Sequence, residues 1–576
     1  KFNNLGIPLS SPKITNMHNP ALKNFVRPQT ATTVEGGYLS LKQVVDIAYN
    51  KQAFELTTSE AVKEKVQSSY EYIQHVALNG KPIYGVNTPF GGMANQILNH
   101  DETLQLQTNL MFFLKSGAGN YVGDVYVRAA MVILTNALLK GVSGIRFEII
   151  ERYAFFLQNG ITPRVRELGS IGASGDLVPL ASVARAVTSL ADCFAVSYKG
   201  EQWGTQAISE KFKLERIKLH PKEGLALVNS TAMLTGIAAI NLQELNKLFA
   251  LSLHAHALMM QALTASVQPF DAFTHSHKPH EGQIFIAEMI TGLLTGSQMV
   301  RKNGDPLQGE NKLYQDRYSI RCVPQFLGPI VDGFKTVQKN IEIEANSVTD
   351  NPLIDMENFN ILHGGNFLGE YVAIGMDQVR NYIGLIAKHL DAQIALLVMP
   401  EFNNGLPSSL SGNTTNRINM GLKGLQITGN SIMPLLLFYG NSIADKFPTH
   451  AEQFNQNINS QGFNASMLTK TSIELFRKYV AISLIFAVQA VDLRAKQMGK
   501  QVYVKDVVSP ETFKTYAAIR QICNKNVLLS EPLVINDNSF PMDDFIDAID
   551  ADIQYNGKLV TAANALIEKL DAYYAA

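Results

Sequence analysis

The chain has 576 residues, 46% of them hydrophobic, with 49 basic against 50 acidic side chains. That apolar content supports a large packed core and excludes a disordered polymer. The balanced charge gives no electrostatic basis for binding nucleic acid or an anionic membrane surface.

No charged n-region with an apolar h-region opens the chain, so no secretory leader is expected. Residues 1–36 are rich in Asn, Pro, Thr and Ser, lack periodicity and read as a mobile arm. Helical spacing dominates from YLSLKQVVDIAYN onward, and clear period-two strands are scarce. The expected fold is mainly α: an N-terminal region over 37–228, a central long-helix bundle over 229–470 and a C-terminal helical region over 471–576. The stretch NSTAMLTGIAAINLQELNKLFALSLHAHALMMQALTASVQ predicts one or two very long helices. Within it, Leu248–Val267 has the length of a membrane span. Its histidines, hydroxyls and glutamine make it a core helix of a bundle instead. Val379, Ile383, Ile386, Leu390, Ile394 and Leu397 fall at steps of three and four and predict one apolar stripe. Cys193, Cys322 and Cys523 are too few and too scattered for a disulfide framework or a zinc ribbon, which fits a reducing, cytoplasmic setting.

Glycine- and asparagine-rich loops separate the helices, and loops on a rigid scaffold are where chemistry usually sits. One contains SIGASGDLVPLA. Asp176 is placed to cap a helix, Pro179 to lie in its first turn, and Leu180, Val183, Val187 and Leu190 to form its buried stripe. A nucleophile elbow needs G-x-S-x-G, and Asp176 stands where the last glycine is required. Ala173-Ser174-Gly175 suits another chemistry. In a strained turn the Gly175 amide nitrogen can approach the Ala173 carbonyl carbon, since glycine has no Cβ in the way. Ring closure with loss of water from Ser174 gives a methylidene-imidazolone, an electrophile that no ordinary side chain provides. A helix N-terminus makes it more electron-poor.

The motifs YGVNTPFGGMAN, GSIGASGDLVPL, QDRYSIRC, NSVTDNPLID, HGGNFLG, MGLKGLQI and THAEQFNQNINSQG occur in this order. On them the chain resembles the aromatic amino acid ammonia-lyases, most nearly the compact phenylalanine ammonia-lyases of bacterial type. These enzymes build the electrophile (MIO, 4-methylidene-imidazole-5-one) from Ala-Ser-Gly. The resemblance implies a long-helix bundle of the ammonia-lyase/fumarase-like superfamily, with the MIO in the N-terminal region. It implies a homotetramer whose active sites combine loops of three subunits, and no metal. The implied reaction converts L-phenylalanine to trans-cinnamate and ammonia; a phenylalanine 2,3-aminomutase or a tyrosine or histidine ammonia-lyase is the alternative. The fumarase signature loop GSSxMPxKxN is not evident.

The resemblance also assigns residues. Tyr84 is the base for the β-proton, on a glycine-flanked loop that could close as a lid. Tyr318 and Arg321, three apart, share a face of a helical turn. Arg321 suits the substrate carboxylate and Tyr318 handles the amine proton. Gln315 joins them in substrate binding. Glu452, Asn455 and Gln456 are expected on one helical face, with Glu452 meeting the amine. Asn229 and Asn351 match positions that hydrogen-bond the MIO carbonyl and the carboxylate region. Phe113 and Leu114 line the ring pocket without a partner for a phenol, and Phe367, Lys423 and Ile427 match further pocket positions. Ser230 replaces the usual glycine after Asn229, and Pro89 stiffens the Tyr84 loop. His275, His277 and His280 fit no standard zinc spacing. SGAGNYVG has the wrong glycine spacing for a dinucleotide fold.

Overall fold

The computed structural model describes residues 25–190, 195–302, 305, 314–499, 502–528, 531–538 and 541–576. Cys193 and most of the N-terminal arm lie outside them. The chain forms two compact units. The first comprises the described part of Lys1–Ser170 with Ser174–Gly236 and Val348–Phe367; the second comprises Ile171–Ala173, Ile237–Ser347 and Leu368–Ala576.

The first unit mixes helices with small two- and three-stranded sheets. Ala31–Val34 pairs in parallel with Ala53–Leu56, so part of the expected arm is a strand. Its alternating burial, with Thr32 and Val34 inside, explains why. A helix over His100–Phe113 (α1) opens on a capping box between Asn99 and Glu102. Leu177–Val187 (α2) follows the Ala-Ser-Gly turn, with Pro179 in its first turn and Leu180, Val183 and Val187 buried. Leu190 is also buried, just beyond the helix end. Glu223–Val228 (α3) is short, and the helix is interrupted at Asn229 before it resumes as Ala232–Ala262 (α4). The hairpin Leu353–Asp355 with Asn360–Leu362 brings Ile354 against Ile73, Ile83 and Val86. That apolar cluster holds both ends of the segment carrying Tyr84.

The second unit is built from long helices. Glu281–Leu294 (α5) packs on Val323–Ala345 (α6), while Glu370–Val398 (α7) packs on α6, on Lys423–Tyr439 (α8) and most extensively on Gly462–Met498 (α9). The stripe Val379, Ile383, Ile386, Leu390, Ile394 and Leu397 is wholly buried. α9 continues without a break through residue 470, correcting a boundary there: no glycine or proline interrupts its buried run. Glu223–Ala262 is long and apolar enough to cross a membrane, and its most apolar window is completely buried.

Candidate active site

The turn before α2 is fixed from several sides. Gly175 has φ +65°, a conformation that favours glycine. A Cβ on it would sit on the Ser230 backbone, 2.5 Å from the nitrogen and the carbonyl carbon. The Gly175 amide donates to the Phe367 carbonyl at 3.0 Å and the Asp176 amide to the Ser230 carbonyl at 2.8 Å. Asn229 donates from Nδ2 to both the carbonyl oxygen and Oγ of Ser174, at 2.8 and 2.9 Å. Ser174 is half-buried, whereas Ala173 and Gly175 are buried. Within the second unit, Ile171 and Gly172 are held by the Gln461 and Ser460 amides and by the Ser460 hydroxyl.

Asp176 takes the N-cap position of α2, but its carboxylate does not bond that helix's amides. It accepts from the Ser170 hydroxyl at 2.8 Å and from the Leu234 amide at 2.7 Å. Its φ of −103° and ψ of 61° lie outside the extended geometry of a side-chain cap. The carboxylate therefore satisfies the first turn of α4 instead. Ser230, where the resemblance leads one to expect glycine, is accommodated: its Oγ accepts from the Ala232 amide at 3.2 Å and lies 3.0 Å from the Thr349 hydroxyl.

Tyr84 is half-buried. The Gly91 amide donates to its hydroxyl oxygen at 2.9 Å, and its own amide donates to His363 Nε2 at 3.4 Å. Gln107 on α1 is buried and ties this loop to α3: its Nε2 donates to the Gly85 carbonyl and its Oε1 accepts from the Gly224 amide. Leu114 at the end of α1 is buried. Phe113 is 54% exposed, its ring 6.5 Å from that of Phe90. Asn351 Oδ1 accepts from the Gly364 amide at 2.8 Å.

Sequence reasoning missed the ion pair beneath these loops. Lys222 Nζ lies 2.5 Å from Asp350 Oδ2, both buried. Burial pushes the ammonium pKa down and Asp350 pulls it back up. Lys222→Met leaves a buried carboxylate unpaired and should cost about 3–5 kcal/mol. Denaturant unfolding is expected to read that loss, and adding Asp350→Leu to recover much of it.

In the second unit Tyr318–Arg321 forms a single helical turn. The Arg321 guanidinium lies 4.6 Å from the Tyr318 ring centroid and donates from Nη1 to Gln315 Oε1. An open cleft of about 560 Å³ is lined by Tyr314, Gln315, Asp316, Arg317, Tyr318 and Arg321. Lys423 and Ile427 are exposed on α8. Glu452, Asn455 and Gln456 do not share a helical face. Glu452, Gln453 and Phe454 have φ of 47°, 54° and 64°, a left-handed turn closed by a bridge between Ala451 and Gln456. A right-handed 3.6-residue spacing cannot describe that backbone. Burial pushes the Glu452 carboxyl pKa up.

The histidine-rich loop is committed elsewhere. Gln283 donates to His275 Nδ1 and His275 Nε2 donates to the Pro269 carbonyl, both at 3.0 Å. Among the described residues no three His, Cys, Asp or Glu side chains converge on a common point.

Residues 39–521 match the family described as aromatic amino acid lyase. The chain is 48% identical to the phenylalanine ammonia-lyase of Nostoc punctiforme over 541 residues, 93% of this chain and 95% of that one. It is 39% identical to the aromatic ammonia-lyase of Loktanella atrilutea, over 94% of this chain and the whole of that protein. The solved phenylalanine aminomutase of Pantoea agglomerans superposes with a TM-score of 0.81 at 27% identity, covering 90% of this chain and 98% of that one. An Ala-Ser-Gly turn braced by an asparagine, together with a match of this length, leads to one conclusion: the chain belongs to the aromatic amino acid lyase family.

Proposed function

We propose that the chain eliminates ammonia from L-phenylalanine to give trans-cinnamate, using an MIO formed from Ala173, Ser174 and Gly175. The observation that carries this is the environment of the tripeptide. Gly175 has a left-handed φ against the Ser230 backbone, and the Asn229 amide rests on the Ser174 carbonyl. A left-handed Gly175 free of a Cβ favours ring closure, and Asn229 would hold the finished group. When formed, the MIO supplies an electrophile that converts the substrate amine into a competent leaving group.

The chain's own residues do the rest. Arg321 binds the carboxylate, and Gln315 holds its guanidinium in place. Tyr84 takes the β-proton on its phenolic oxygen. The β C–H electrons become the Cα–Cβ double bond, and the Cα–N pair leaves with the nitrogen. The Gly91 amide donates to that oxygen and fixes its place on the loop. Tyr318 and the raised Glu452 carboxyl exchange protons at the departing nitrogen, with Asn455 and Gln456 supporting them. Asn351 faces the carboxylate region. Phe113, Leu114, Phe367, Lys423 and Ile427 shape the ring pocket.

A homotetramer with shared sites accounts for α8, where Ile427, Leu435, Leu437 and Phe438 are exposed on an apolar helix. Cys322 and Cys523 are unpaired, in keeping with a cytoplasmic setting.

Incubation with L-phenylalanine should release cinnamate and ammonia in equal amounts; no cinnamate with any aromatic amino acid would refute the reading. A phenylalanine 2,3-aminomutase is the second reading, favoured by the likeness to the Pantoea structure. Chiral chromatography with β-phenylalanine as the main product would establish it. Phe113 offers a phenol no hydrogen bond, an omission worth about 1–3 kcal/mol. Phe113→His should therefore raise the tyrosine-to-phenylalanine ratio of kcat/KM by about tenfold.

A further inference from the structure

Tyr318 and Arg321 sit on one helical turn that Cys322 sets off from the start of α6, and four residues are too few to hold their own geometry. The carbonyl of Ser319, between them, accepts two side-chain donors from α7. These are His389 Nε2 at 2.7 Å and Gln393 Nε2 at 2.6 Å. The two donors are four apart on α7 and so share a face.

The network fixes its own protons. A carbonyl only accepts, so His389 carries its hydrogen on Nε2. Gln393 spends its amide nitrogen on Ser319, so its Oε1 accepts from His256 Nδ1 on α4 at 2.9 Å. His256, His389 and Gln393 are all buried. The His389 ring lies between His256 at 4.6 Å and Phe326 at 4.8 Å, centroid to centroid. Burial lowers both imidazole pKa values, His256 to about 3 and His389 to about 4, so both stay neutral donors at physiological pH.

This is a costly way to fill a core. His256 Nε2 and His389 Nδ1 are buried acceptors without a protein partner. Leu, Met or Phe would pack the same space without that penalty. What the polar side chains provide is two directed hydrogen bonds onto a backbone atom of the Tyr318–Arg321 turn.

We propose that His389 and Gln393 are positioning residues that hold this turn in register for the substrate, with His256 fixing the orientation of Gln393. The inference rests on Tyr318 and Arg321 contacting substrate, as read above.

The test uses the full-length enzyme and three variants. His389→Phe and Gln393→Met keep volume but remove the donors; His389→Gln keeps a side-chain N–H. The first two should raise KM for L-phenylalanine about tenfold with kcat changed much less, and His389→Gln should restore KM to within about threefold of the parent. The unfolding midpoint of His389→Phe should stay level or rise, which separates positioning from plain structural support; Gln393→Met also orphans the buried His256 N–H and is read by KM and exchange alone. Hydrogen exchange of the peptide spanning the turn should quicken in His389→Phe and Gln393→Met and not in His389→Gln. An unchanged KM and unchanged exchange in both apolar variants would overturn the proposal. A parent enzyme that yields neither cinnamate nor β-phenylalanine would instead sink the functional reading, and exchange would still test the hold on the turn.

Discussion

Ser174→Ala is expected to abolish turnover while leaving the fold in place. Ser174 is the residue whose hydroxyl must leave as water if the turn is to become an electrophile. An alanine there has no leaving group, and no neighbouring side chain can substitute. The loss should be about 10³-fold or more in kcat. The fold should tolerate the change. Asn229 Nδ2 still has the Ser174 carbonyl at 2.8 Å when Oγ is gone, so no buried donor is orphaned. The stability change should stay near 1 kcal/mol or below. Intact mass makes the test independent of activity. The parent should be lighter than its encoded sequence by two waters, and the variant should carry its full mass. A parent at full encoded mass that still turns over substrate would remove the electrophile from the mechanism.

The contrast between Ser174 and its neighbours marks how far sequence can be read. The stripe from Val379 to Leu397 was legible because a helix repeats its burial locally. So was Pro179 in the first turn of α2. The Ala-Ser-Gly turn stood out because its chemistry lies in three consecutive residues. Asp176 was legible as a cap position but not in its partner, since Leu234 lies 58 residues away. The Lys222–Asp350 pair spans 128 residues, and nothing in either local segment signals the other. His389 reads as one of several polar residues on α7 until Ser319, 70 residues earlier, is brought to it. Glu452 failed for a different reason. Three successive left-handed residues give side-chain directions that a right-handed spacing rule misassigns. The strand at Ala31–Val34 is only four residues long, too short for alternation to stand out from a Thr-rich segment.

Tyr84→Phe should separate proton abstraction from electrophile formation. The ring is kept, and only the phenolic oxygen is lost. Without it no group on this loop can accept the β-proton, and kcat should fall about 10²–10⁴-fold. KM should change little, since the carboxylate and ring contacts lie on other residues. The Gly91 amide loses its acceptor, 2.9 Å away in the parent, and Gly91 is buried. That should lower stability by about 0.5–1.5 kcal/mol, readable as a modest fall in unfolding midpoint. Intact mass should still show both waters lost, because Tyr84 takes no part in closing the ring. The two variants then fail in different ways: one lacks the electrophile, the other has it and cannot use it. A kcat within about tenfold of the parent, with both waters still missing, would put the base on another residue.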